Sequence, residues 1–85
     1  MKLKGNMMLF WADVIDVDTQ RQYFYYVVGR NEETAFKIFT KQMNRTFRTY
    51  DYYFHEIEDE KEIQAFSKYS ETKAGTYSVW RHYSL

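Results

Sequence analysis

The two histidines, His55 and His82, are the side chains best suited to acid–base chemistry, because imidazole titrates near neutral pH. Catalysis would need a second polar group within hydrogen-bond reach of one of them. Glu56 follows His55 on a predicted strand, where successive side chains point to opposite faces, and Arg81 and Tyr83 flank His82 in the same way. The sequence has no phosphate-binding glycine loop, nucleophile elbow or His-Glu-x-x-His motif. We therefore predict that the protein is not an enzyme.

An acidic run is the second feature with the residue types for a site. Its members are Glu56, Glu58, Asp59, Glu60 and Glu62. Such a run could bind a cation or an Arg-rich partner, but it lacks the spaced Asp/Asn and Gly pattern of a calcium loop. It also lies at a predicted helix start, where the helix dipole favours acids. Without cysteine, the chain cannot form a thiolate zinc site. We predict no metal and no cofactor.

A basic stripe follows on the first predicted helix and comprises Lys37, Lys41, Arg45 and Arg48. No acid interrupts the chain from Thr34 to Tyr50, and the spacing places the four charges on one helical face. The stripe could lie along a phosphate backbone or against an acidic protein surface. It is equally typical of the charged outer face of any amphipathic helix. The formal net charge of zero argues against a strongly basic nucleic-acid binder.

Tyrosine is unusually frequent: nine Tyr accompany seven Phe and two Trp in 85 residues. Tyr is enriched at protein interfaces, although its high β propensity also explains its presence in strands. Trp80 and Arg81, near the end of the sequence, are of residue types that often anchor protein interfaces. The candidate protein-binding residues are therefore Tyr23, Tyr25, Tyr50, Tyr52, Trp80 and Arg81.

Four strands and two helices are predicted from the residue pattern. The strands cover residues 7–17, 23–28, 50–57 and 76–85, and the first has two apolar faces, which is typical of a central strand. The first helix begins after an Asn31 cap, runs to about Arg45, and has an apolar stripe of Ala35, Phe36, Phe39 and Met43. The second begins after Asp59 and carries Ile63, Phe66 and Tyr69.

The order β-β-α-β-α-β predicts a single α+β domain over residues 1–85. We expect an antiparallel or mixed four-stranded sheet with both helices packed on one face, which leaves the other face open. A right-handed crossover through the first helix places the third strand beside the first. Tyrosines on the open face would then form a binding platform.

Two features predict a cytoplasmic protein with no membrane partner. The absence of cysteine favours a reducing compartment. The apolar run from Met7 to Ala12 stops at Asp13, far short of the roughly 20 residues of a membrane span.

The leading hypothesis is a non-enzymatic protein-binding module, favoured by the tyrosine surplus, the neutral net charge and the missing catalytic motifs. Residue types with A/T-rich codons dominate, which fits a phage or mobile element of a low-G+C bacterium. The more specific hypothesis is therefore a phage-type inhibitor of a host or defence protein, such as an anti-CRISPR. The alternative is a small nucleic-acid-binding protein that uses the basic helix face. A homodimer through a free strand edge or an open aromatic face is a third hypothesis.

Overall fold

A computed structural model describes residues 3–69 and 73–79. The elements are a short 3₁₀ turn (Lys4–Asn6), β1 (Met8–Asp16), β2 (Gln22–Gly29), α1 (Glu32–Thr46), β3 (Tyr50–Glu56), α2 (Glu60–Tyr69) and β4 (Gly75–Ser78). The predicted α+β class and β-β-α-β-α-β order are confirmed. The last strand was predicted over residues 76–85, whereas β4 ends at Ser78, and the predicted part from Trp80 onward lies outside the described residues.

The four strands form one sheet in the order β3-β1-β2-β4, with every neighbouring pair antiparallel. β1 is central, as its two apolar faces predicted. The connection from β2 through α1 crosses over β1, so β3 lies beside the first strand, and that prediction is confirmed. β3 and β4 are the two edges of the sheet.

The two helices pack on opposite faces of the sheet, so the prediction that both share one face was wrong. On one side, here called the α1 face, Phe10 and Val27 pack with Phe39 of α1. On the other side, the α2 face, Leu9 and Tyr26 pack with residues of α2. The physical reason is that consecutive residues of β1 and β2 are apolar, so each face presents a hydrophobic surface that needs a cover.

The start of α1 is fixed by local chemistry. The Asn31 side chain accepts a hydrogen bond from the Thr34 backbone N–H at 2.8 Å, as expected for an N-cap. A Cβ on Gly29 would lie only 2.8 Å from the Cα and Cβ of Ala35, so glycine lets the first turn of α1 lie against the end of β2. Ala35, Phe39 and Met43 are fully buried, which confirms the predicted stripe, and Phe36 is half-buried.

α2 covers only part of its face, because it is ten residues long and buries a narrow stripe. Ile63 and Phe66 of α2 pack over Leu9, Tyr26 and Val28. These strand residues lie at one end of β1 and β2. The other end of the α2 face carries large side chains that α2 does not reach, and it is the most distinctive surface of the domain.

Candidate protein-binding surface

The strand register places five side chains together on the end of the α2 face that no other described residue range packs over. Asp13 of β1 lies between Phe24 of β2 and Tyr53 of β3 in one row across the sheet. Trp11 lies in the next row and Ile15 in the row on the other side. We call these five residues, Trp11, Asp13, Ile15, Phe24 and Tyr53, the open surface.

Three members of the open surface are strongly exposed for apolar or aromatic residues. The exposed fraction is 38% for Ile15, 40% for Phe24 and 59% for Tyr53. Trp11 and Asp13 are half-buried between them. Single exposed apolar residues are common on protein surfaces, but a contiguous group is typical of an interaction site.

Trp11 and Asp13 hold each other in position at the centre of this surface. The Trp11 indole Nε1–H donates a hydrogen bond to Asp13 Oδ1 at 3.1 Å. The Trp11 ring also packs against Phe24 and Tyr26, with ring centroids 5.6 and 5.5 Å apart. Within the described part of the chain, Asp13 Oδ2 has no hydrogen-bond partner. The central carboxylate is thus oriented and has one oxygen left to accept a further bond.

The open surface is negatively charged. Its central Asp13 is joined at the sheet margin by Asp51, which lies in the same row as Ile15. Across the described residues of the four strands, no lysine or arginine projects from the α2 face. An apolar surface around a carboxylate complements a partner that presents a cation among apolar groups.

A small cavity of about 210 Å³ continues this surface toward α2, lined by Trp11, His55, Ile57 and Glu62. The hydroxyl of Tyr26 donates a hydrogen bond to Glu62 Oε2 at 3.3 Å. Among the acidic residues, the one that lines this cavity with His55 is Glu62, and not the sequence neighbour Glu56. The volume is below the roughly 300–1,000 Å³ typical of ligand pockets, so the cavity serves better as an indentation for one partner side chain.

Four of the predicted interface tyrosines share a face, but that face is packed against α1. Tyr23, Tyr25 and Tyr50 are half-buried beside the Phe39 cluster. Burial raises the pKa of the Tyr25 and Tyr50 phenols, and the neighbouring tyrosines Tyr23 and Tyr52, respectively, raise it further. The prediction that these tyrosines lie on an open face was therefore wrong.

The remaining predicted interface residues have different positions. Tyr52 is 50% exposed at the outer edge of β3, where its ring lies 5.5 Å from that of Phe36. Trp80 and Arg81 lie outside the described residues. Phe24 alternates along β2 with Tyr23 and Tyr25, and Tyr53 along β3 with Tyr52, so Phe24 and Tyr53 lie on the face opposite to these tyrosines.

The basic stripe is only partly helical. Lys37, Lys41 and Arg45 are exposed on the outer side of α1, and Lys37 Nζ lies 3.4 Å from Glu33 Oε1. α1 ends at Thr46, so Arg48 belongs to the loop before β3 and not to the helical face that the spacing predicted. The physical reason is that the Phe47 ring is buried beside β2, so its backbone leaves the helix there.

No group of three or more His, Cys, Asp or Glu side chains within residues 3–69 and 73–79 is arranged to hold a metal ion. None of the helices in the same ranges is long and apolar enough to cross a membrane.

Comparison with known proteins adds no relative. The sequence matches no protein family, no curated protein and no solved structure.

Proposed function

We propose that this protein is a protein-binding module and that the open surface is its contact surface. The observation that carries the proposal is the row Tyr53–Asp13–Phe24, in which two exposed rings flank an oriented carboxylate. A centre of aromatic side chains with one polar anchor is typical of binding hot spots. This proposal moves the contact surface from the tyrosines named by the sequence to the opposite face of the sheet.

The partner is proposed to present an arginine flanked by apolar side chains. Its guanidinium would donate to the second oxygen of Asp13, the residue between Phe24 and Tyr53 in the row. Each ring adds a cation–π contact of about 0.5–1 kcal/mol at such an exposed site. Arginine fits better than lysine, because its planar group can stack on aromatic faces while it donates to a carboxylate. Apolar side chains of the partner would cover Ile15 and Phe24.

The more specific form of the proposal is an inhibitor of a host or defence protein. A small domain with one contact surface can act by occupying a functional site of its partner, and a surface that captures arginine suits the basic sites of nucleic-acid enzymes. This form adds one requirement to binding: the partner's activity must fall on complex formation, and fall less with a variant that binds weakly.

The Asp13→Asn variant is expected to weaken partner binding by about tenfold or more. Asparagine keeps an acceptor for the Trp11 indole but removes the charge, and hydrogen bonds to charged groups contribute about 1.5–3 kcal/mol. The probe is a blocked Leu-Arg-Leu peptide titrated into 15N-labelled protein, with the Trp11 indole N–H signal as the readout. The same peptide with citrulline in place of arginine is expected to shift that signal far less.

Asp18→Asn is the matched control, because it makes the same charge change in the exposed hairpin loop. It is expected to bind the arginine peptide like the unaltered protein. Equal binding of the arginine and citrulline peptides, or equal affinity of the Asp13 and Asp18 variants, would overturn the proposed contact. Pull-down of protein partners from nuclease-treated lysate with the same three proteins extends the test to the natural partner.

A nucleic-acid interface on α1 is the second candidate. The observation that favours it is the pair Lys41 and Arg45, which are exposed and form no ion pair with another described residue. They project from the outer side of α1, away from the open surface, so the two candidates predict different sensitive residues.

For this candidate, fluorescence anisotropy with a labelled 20-base-pair DNA is expected to show binding that weakens steeply with salt. The double variant Lys41→Gln, Arg45→Gln is expected to reduce the salt slope by about two, one for each lost phosphate contact. Asp13→Asn serves as the control and is expected to leave the slope unchanged. Absence of binding at about 20 mM salt would remove this candidate.

A further inference from the structure

Within residues 3–69 and 73–79, no strand pairs with the outer edge of β3. The Val17 N–H donates to the Thr49 carbonyl at 3.1 Å, and the Ile57 N–H donates to the Leu9 carbonyl at 2.9 Å. In an antiparallel pair, hydrogen-bonded residues alternate along the strand, so odd-numbered residues of β3 turn their backbone groups toward β1. The even-numbered residues turn theirs outward, and these are Tyr50, Tyr52, Phe54 and Glu56. Nothing in the described ranges pairs with these outward groups.

This edge lacks several features that normally protect an edge strand, although it carries the exposed acids Asp51 and Glu56. β3 is seven residues long and pairs with β1 in continuous register, without a bulge. It contains no proline and no lysine, the residues that most often block edge-to-edge pairing. Tyr52 and Tyr53, at 50% and 59%, have the highest exposed fractions of the large hydrophobic side chains in the described part of the chain. An edge of this kind is favourable for β-strand addition.

The sequence of β3 is complementary to itself in one antiparallel register, the register that pairs Tyr53 with Tyr53 of a second copy. On the α2 face, Asp51 of each copy then lies opposite His55 of the other. On the α1 face, Tyr50 lies opposite Glu56 and Tyr52 opposite Phe54. The pairs are therefore aromatic with aromatic, His55 with the acidic Asp51, and Tyr50 with Glu56, and no like charges face each other. The Tyr50 hydroxyl already donates to Asn44 Oδ1 at 2.9 Å, so its ring only packs beside Glu56.

Neighbouring registers are less favourable. The nearest registers that keep the same faces together shift the second copy by two residues along β3. A shift in one direction places Asp51 opposite Tyr53. A shift in the other direction places Asp51 opposite Ile57, which lies outside β3. Both shifts lose the Asp51–His55 pair and leave end residues without partners. The central register pairs all seven residues of β3, and its four hydrogen-bonded residue pairs would form about eight interchain hydrogen bonds.

We infer that two copies of this chain join through their β3 edges, with Tyr53 on the two-fold axis, to form one continuous eight-stranded sheet. The occupant of the edge is a second copy because the complementarity is that of β3 with its own sequence. The inference does not depend on the proposed partner-binding function. In such a dimer, the two open surfaces would lie on the same side of the joined sheet and meet at Tyr53.

Sedimentation equilibrium of the unaltered protein is the first measurement. The weight-average mass is expected to rise with concentration from the chain mass of 10.5 kDa toward twice that value. A monomer mass at high protein concentration, about 1 mM, would overturn the inference.

Cysteine cross-linking tests the register. The chain has no native cysteine, so a single Tyr53→Cys variant introduces the only thiol. At the two-fold axis this position faces itself in a non-hydrogen-bonded pair, where Cα atoms are about 4.5 Å apart and a disulfide can form. Tyr52→Cys is the matched control, since it is similarly exposed but faces Phe54 of the other copy. Under mild oxidation, Tyr53→Cys is expected to form covalent dimer at least tenfold faster.

Equal cross-linking rates for the two cysteine variants would overturn the inference, even if the protein were dimeric. A charge pair gives an independent readout in variants whose fold is confirmed by circular dichroism. Tyr53→Lys and Tyr53→Glu are each expected to be monomeric alone, because like charges would face each other on the axis, and to form a heterodimer when mixed. Phe24→Lys, on the same face but two strands away from the edge, is expected to remain dimeric.

Discussion

Replacement of Phe39 by alanine is expected to lower the free energy of unfolding by about 3–5 kcal/mol, the usual cost of removing a buried ring. Phe39 is fully buried, and its ring centroid lies 5.3 Å from that of Phe54 and 5.7 Å from that of Tyr52. Phe39 packs against the edge strand β3, as Phe36 also does, and against the centre of the sheet. A chain of this length has a total stability of about 4–13 kcal/mol, so the substitution would remove a large share of it.

Urea unfolding followed by circular dichroism measures this effect as a lower midpoint with an unchanged slope. Phe36→Ala is the matched control, because it removes the same ring from the same helix at a half-buried position. Phe36→Ala is expected to lower the free energy of unfolding clearly less than Phe39→Ala does. If the two variants were equally stable, α1 would not be packed on the sheet through the Phe39 side of the helix.

The secondary structure of this protein was largely predictable because its signals are local. The Asn31 cap and the Ala35–Phe39–Met43 spacing define α1 without reference to the rest of the chain. The two apolar faces of β1 identified the central strand. These features depend on residues within one or two turns of each other, where periodicity and capping chemistry are decisive.

The arrangement of the helices was not predictable in the same way. Apolar residues on both faces of β1 and β2 require covers on both sides, but they do not reveal which helix covers which side. The open surface was not predictable from local signals either, because Phe24 and Tyr53 lie beside Asp13 only through the pairing of three strands. One signal was present in the sequence: Phe24 alternates with Tyr23 and Tyr25, so it had to lie on the face opposite to them.

Tyr26→Ala is expected to lower the free energy of unfolding by about 3–5 kcal/mol, as much as Phe39→Ala does. Tyr26 lies on the α2 face of the sheet, opposite to Phe39. Only 1% of Tyr26 is exposed, and its ring lies 5.0 Å from Phe66 of α2 and 5.5 Å from Trp11. Removal of the ring leaves a cavity between α2 and the sheet. A ten-residue helix is not stable by itself in water, so α2 depends on this packing.

Tyr26→Phe separates the ring from its hydroxyl. The phenylalanine variant keeps the packing and loses a long hydrogen bond, 3.3 Å, to the Glu62 carboxylate, so the free energy of unfolding is expected to fall by only about 1.5 kcal/mol, the low end for a bond to a charged group. Urea unfolding of both variants provides the measurement. A similar loss in both would show that the polar contact, rather than the packed ring, holds α2 on the sheet.

The two alanine variants together test whether the domain unfolds as one unit. β1 and β2 contribute to both hydrophobic clusters, so loss of either helix exposes one face of the same two strands. Tyr26→Ala should therefore lower the stability of α1 as well as that of α2. Hydrogen exchange is expected to show faster exchange of the slowest α1 amides in this variant. Unchanged exchange in α1 would mean that α2 unfolds separately, and the open surface would then be larger whenever α2 is released.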